Sequence, residues 1–101
     1  MPRIFTKLEM KLEEDGGRHG PFSENYRPHL IPKGTEDYLG VSVVNLPESQ
    51  AVHPGISAEV EFDLMYSPTV DYSGLCVGAE FQIREGVRVV GAGIVISRDE
   101  L

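Results

Sequence analysis

The sequence has little of what a secreted, membrane-bound or nucleotide-hydrolysing protein needs. Cys76 is its only cysteine, so no intramolecular disulfide can form, and a reducing compartment is the expected setting. Set between Leu75 and Val77, that thiol reads as buried. The stretch from Met1 to Lys11 alternates charged with apolar residues, where a secretory signal would show an unbroken apolar run of roughly 7 to 15 residues. No apolar run approaches the length of a transmembrane helix. A cytoplasmic location with no membrane partner is therefore expected. The final Arg98-Asp99-Glu100-Leu101 has the look of an endoplasmic-reticulum retention signal, an address with meaning only on a chain that has entered the secretory pathway.

Cations are also scarce. Sixteen acidic residues stand against nine basic ones, for a formal net charge of −7. Affinity for nucleic acid draws on Lys and Arg that neutralise phosphates, so tight RNA binding by the whole surface is disfavoured, although a local basic patch can survive in an acidic protein. No GxxxxGK[ST] loop is present, and the chain alone is not expected to bind GTP, because the amides and lysine that cradle phosphates are missing. His19, His29 and His53 are scattered and, with one cysteine, give no zinc-ligand spacing. No strained Gly-x-Ser-x-Gly elbow positions a nucleophile. Neither a metal, nor a cofactor, nor a catalytic activity is expected.

What the chain does have is a folding composition. Its 101 residues are 41% hydrophobic and 25% charged, within the globular range. A domain of that size buries roughly 60 to 70% of its unfolded surface, so one domain over residues 1–101 is expected, with a core at about 4–97 and a short tail at 98–101. Eleven glycines and seven prolines suit several short strands. Ile4, Thr6, Leu8, Met10 and Leu12 fall on one side of a period of two, against Lys7, Glu9, Lys11 and Glu13 on the other, which predicts a half-buried strand. The glycine-rich segment from Asp15 to Pro21 predicts a loop. A second strand is expected over Tyr26 to Ile31, at an edge or bulge because Pro28 cannot donate to a ladder. A third runs over Tyr38 to Leu46, with Val41 and Val43 on one face.

The clearest alternation is Ala58, Val60, Phe62, Leu64 and Tyr66 against Glu59, Glu61 and Asp63. Val77, Ala79, Phe81 and Ile83 alternate in turn and lead to a two-residue turn placed at Glu85-Gly86. The last strand, Val87 to Ser97, is apolar on both faces and interrupted by Gly91 and Gly93, as where a strand bends or is covered on both sides. Six strands without helical period predict an all-β fold, a six-stranded antiparallel closed β-barrel, Greek-key-like, since closure removes exposed edges. Val60, Phe62, Phe81 and Ile94 are expected inside it.

Two motifs go further. Gly16-Gly17-Arg18-His19-x-Pro21-Phe22 followed by Asn25-Tyr26-Arg27-Pro28, and Ile83-Arg84-Glu85-Gly86-x-Arg88-x-Val90-Gly91-Ala92-Gly93-x-Val95, occur in order with Asn45-Leu46-Pro47 and His53-Pro54-Gly55 between them. Together they resemble the C-terminal domain, domain III, of bacterial elongation factor Tu over residues 4 to 97. The resemblance implies a non-catalytic translation-factor barrel that, in the family, touches the T-arm of aminoacyl-tRNA, packs on the GTPase domain and contacts the nucleotide-exchange factor. Arg18 and His19 match the family's loop near the tRNA, and Arg84, Glu85 and Gly86 match the hairpin turn that meets the RNA minor groove. His29 stands where the family has glutamine, Leu39 where it has threonine, and Ser67 near a lysine position, while the loop over Val70 to Val77 is longer than the family's.

Each candidate also has a plainer reading. Arg18 and His19 are either a binding pair or solvated loop residues, and Arg84, Glu85 and Gly86 either an RNA contact or an ordinary charged turn. The stripe Glu59, Glu61 and Asp63 is a solvated strand face or a lure for a basic partner. The net charge and the three departures favour a protein-interaction module with a protein partner in the translation machinery. A weak tRNA-binding module using Arg18, His19 and the Arg84-Glu85-Gly86 turn is the alternative.

Overall fold

The structure is a computed structural model that describes residues 1–100. Seven strands form one antiparallel sheet: β1 (Arg3–Met10), β2 (His29–Pro32), β3 (Leu39–Gly40), β4 (Ser42–Val44), β5 (Ser57–Asp63), β6 (Glu80–Glu85) and β7 (Arg88–Asp99). Helix is confined, among the described residues, to single 3-10 turns at Glu13–Asp15 and Glu48–Gln50. The strand order is β3-β2-β6-β7-β1-β5-β4, so β1 lies between β5 and β7 at the centre.

The fold is all-β as expected, but it is an open half-barrel of seven strands and not a closed barrel of six. The strand expected over Tyr38 to Leu46 is broken at Val41 into β3, which pairs with β2, and β4, which pairs with β5. Pro28 supplies the reason. The Val41 amide donates to the Pro28 carbonyl at 3.2 Å, but Pro28 has no N–H to return the bond, so the β2–β3 ladder stops there. The two edges of the sheet are consequently adjacent in the chain, joined only by Val41.

The predicted alternation holds where burial can be checked. Ile4, Thr6, Leu8 and Met10 of β1 and Val60 and Phe62 of β5 point inward, and Phe81, Ile83, Val90 and Val95 close the core. Each large apolar side chain so buried contributes about 1.5–3 kcal/mol. Thr6, a buried hydroxyl, donates to the Val60 carbonyl at 2.8 Å and so carries no unsatisfied polar group inward.

Several single expectations fail, each for a local reason. Ile94 is 40% exposed. Gly91 and Gly93 take the inward positions of β7 instead, because a Cβ at Gly93 would lie 2.7 Å from Leu8 Cδ2 and 2.8 Å from the Phe81 ring, and one at Gly91 would lie 2.9 Å from Met10 Sδ. Neighbouring side chains fill that space, and the glycines let β1 and β6 close over it. The bulge opposite Ile83/Arg84 falls at Val90 and resets the phase, so that Val90 and Gly91 both turn inward, while Val95 keeps the phase of Gly91 and Gly93.

Leu12, Tyr66 and Val77 are exposed although their periodicity placed them inside, since β1 ends at Met10, β5 at Asp63, and β6 begins only at Glu80. Cys76 is exposed as well. The long connection after Leu64 instead buries Tyr72 and Leu75. Tyr72 Oη donates to the Gly40 carbonyl at 2.6 Å and accepts from the Tyr66 amide at 3.2 Å. Arg98 donates to the Tyr72 carbonyl at 2.7 Å and to the Leu75 carbonyl at 3.2 Å, tying the same loop to the end of β7.

Candidate functional site

The glycine-rich loop is shaped before it presents any side chain. Gly16 has φ +93°, a left-handed conformation that suits glycine, and a Cβ on Gly17 would lie 2.3 Å from the Lys11 carbonyl oxygen. Arg88, at the start of β7, donates to the Gly16 carbonyl at 3.0 Å and also to that of Gly17. The loop is thus clipped to the β6–β7 hairpin, which carries Arg18 to Glu85.

Arg18 is engaged there on several sides. Its guanidinium makes an ion pair with Glu85 Oε2, donates to the carbonyls of Gly20 and Pro21 at 3.3 Å each, and lies 4.3 Å from the centre of the Tyr26 ring. Tyr26 stacks on Phe22 at 4.6 Å between ring centres and donates its hydroxyl to the same Glu85 oxygen at 2.5 Å. One carboxylate oxygen therefore accepts from both a cation and a phenol.

The electrostatics follow. Burial is the largest influence on Glu85 and favours its neutral form, but the hydrogen bonds from Tyr26 and Arg18 outweigh it and hold the carboxyl below its ordinary range. Burial, reinforced by the bond to Glu85, pushes the Tyr26 phenol far up. Burial alone would lower Arg18, yet its bond to Glu85 leaves it raised. At neutral pH the three groups are a carboxylate, a neutral phenol and a guanidinium, locked as a brace between loop and hairpin.

The other candidates lie apart from this brace. His19 is exposed, its Nδ1 3.1 Å from Glu13 Oε2. Arg84, next to Glu85 in sequence, goes to different partners: Gln82 Oε1 accepts from it at 3.1 and 2.7 Å, and the Tyr38 hydroxyl at 2.8 Å. Its guanidinium lies 5.4 Å from the Tyr38 ring, against which His29 packs edge-on at 5.6 Å. The hairpin turn is Gly86-Val87 and not Glu85-Gly86, because Glu85 still pairs with Arg88; Gly86 supplies the left-handed corner at φ +64°.

Of the five candidate residues the structure unites Arg18 with Glu85, sets Gly86 beside them, and places His19 and Arg84 elsewhere. Sequence reasoning missed Tyr26, Phe22 and Arg88 as members of the brace, although all three lie inside the two quoted motifs. It also missed Tyr38 and Gln82 around Arg84, for which no motif gave a signal. No group of three His, Cys, Asp or Glu residues that could hold a metal ion occurs among the described residues. No helix among them is long and apolar enough to cross a membrane.

By class the chain is an all-β, antiparallel half-barrel whose glycine-rich loop is braced to its last hairpin. The sequence model of the elongation factor Tu C-terminal domain matches residues 7–98, nearly the whole chain, and the chain belongs to that family. In the family this domain is not the catalytic part, and the GTPase activity lies in another domain.

Proposed function

We propose that the chain is a non-catalytic protein-interaction module of the translation apparatus, working in the cytoplasm and docking a protein partner through its outer wall. The observation that carries this reading is the Arg18–Glu85 ion pair. Arg18 and Glu85, two of the five residues whose positions match the family's RNA contacts, are paired with each other and with Tyr26, so much of the charge each would present to phosphate or ribose is already neutralised. A net charge of −7 adds a long-range repulsion toward RNA.

The test has two arms. Labelled tRNA is titrated with the purified protein at low and moderate salt, and the immobilised protein is challenged with purified ribosomal subunits and elongation factors. Retention of a translation component together with no tRNA binding at micromolar protein is the expected result. Salt-sensitive tRNA binding that weakens in Arg18→Ala would instead establish the RNA-binding alternative.

A further inference from the structure

The outer wall of β7 carries an apolar patch that the fold leaves uncovered. Because Gly91, Gly93 and Val95 face the core, Ala92, Ile94 and Ile96 face outward, and the two isoleucines are 40% and 46% exposed. Ile94 sits in register between Lys7 of β1 and Glu80 of β6. A trough runs past Ile94 between Glu9 and Glu80, with Lys7 also in its wall and Ala92 and Gly93 at its floor, and a second lies beside Ile96, bounded by Phe5, Glu59 and Glu61.

Carboxylates outnumber cations around the patch, with Glu9, Glu59, Glu61, Asp63 and Glu80 against Arg3, Lys7 and Lys33. Arg3 donates to Asp63 at 2.8 Å and stands 3.6 Å from Glu61, and Lys33 is 3.7 Å from Glu80. Each such cation offsets about one carboxylate and leaves the excess in place. Glu59 lies opposite Lys7 across the β1–β5 pair and Glu9 follows it two residues on along β1, so one lysine faces two carboxylates at the centre of the wall. An aliphatic centre with an acidic rim is complementary to aliphatic side chains flanked by cations. It opposes a second copy of this chain, whose own wall is acidic and whose net charge is −7.

We propose that the outer wall of β7 docks a basic amphipathic segment of a partner protein, with aliphatic side chains laid over Ile94 and Ile96 and lysines or arginines facing Glu59 and Glu80. This rests on the reading of the chain as a protein-interaction module and names the chemistry of its partner. The probe is a fluorescein-labelled synthetic peptide carrying lysines and leucines at helical spacing, with a counterpart in which glutamates replace the lysines. Binding is read by anisotropy, and its location by amide NMR shifts.

The lysine peptide is expected to bind, to weaken with salt, and to perturb the amides around Ile94 and Ile96. The double variant Ile94→Ser, Ile96→Ser and the milder Glu59→Gln, Glu80→Gln should each weaken it by about tenfold or more, equivalent to about 1.4 kcal/mol. Arg18→Ala should leave it unchanged. Equal binding of the glutamate peptide, no binding of either, or shifts centred on the Arg18 loop would overturn the proposal. So would self-association that Ile94→Ser abolishes, which would assign the wall to a second copy. Translation components retained equally by the isoleucine double variant would sink this surface and spare the module. Peptide binding at β7 without any such retention would do the reverse.

Discussion

Tyr26 Oη lies 2.5 Å from Glu85 Oε2, although the two residues are 59 positions apart in the chain. The contact joins the loop that follows β1 to the end of β6 and converts two family motifs into one structural unit. Its consequence is a pH-dependent stability.

Glu85 has a folded-state pKa below its ordinary value, through hydrogen bonds from Tyr26 and Arg18 that outweigh the opposing effect of burial. The folded state therefore binds its proton less readily than the unfolded chain. The stabilisation is fully present above the ordinary value and is lost as pH falls through the lowered one. Urea unfolding followed from neutral pH down into the acid range should show a loss of stability that Glu85→Gln largely removes. At neutral pH that variant should cost about 1 kcal/mol, at the low end for a charged hydrogen bond because the site is partly solvated. Parallel pH profiles for the two proteins would refute the brace as a stabilising element.

Gly93 and Gly20 make a matched pair. A Cβ at Gly93 would meet Leu8, the Lys7 carbonyl and Phe81 at 2.7 to 2.8 Å, whereas one at Gly20 meets nothing within 4 Å. Gly93→Ala should cost about 1–3 kcal/mol through overpacking, while Gly20→Ala should be neutral or stabilise by about 0.4–1 kcal/mol by restricting the unfolded chain. Denaturant midpoints would check both, and equal midpoints would contradict the placement of Gly93 against β1.

Phe62 is completely buried near the end of β5. Phe62→Ala should remove about 3–5 kcal/mol, a large part of the 5–15 kcal/mol typical of a whole domain. A calorimetric scan should show the transition much lowered or lost, and a midpoint within a few degrees of the parent would mean that the core is built differently.

Tyr72 holds the long connection to the edge of the sheet by donating to Gly40 and accepting from the Tyr66 amide. Tyr72→Phe keeps the ring but leaves the Gly40 carbonyl without that donor, at a cost of about 1–3 kcal/mol. Faster hydrogen exchange at the Tyr66 amide is the specific signature, and an unchanged rate there would show that the bond does not restrain the loop.

Much of the fold was legible because alternation is a local property. The residues of β1, β5 and β6 carry their inside and outside faces in consecutive letters, and Val60, Phe62 and Phe81 are buried as read. The break at Val41 was only half legible. Pro28 announced a missing donor, but not that its partner strand would split there into β3 and β4. The candidate site was legible as residues and not as an arrangement, since nothing in the letters around Arg18 says that its guanidinium faces Glu85, 67 positions away.

By itself the amino-acid order determined an all-β chain and its family, because period-two patterning and long motifs are properties of short contiguous segments. Only the tertiary structure decided that Ile94 faces solvent while Gly93 faces the core, that Cys76 is exposed while Tyr72 is buried, and that Arg18 is held by Glu85. Those outcomes depend on bulges and on register between strands distant in sequence, and a shift of one residue in register moves a side chain from one face of a sheet to the other.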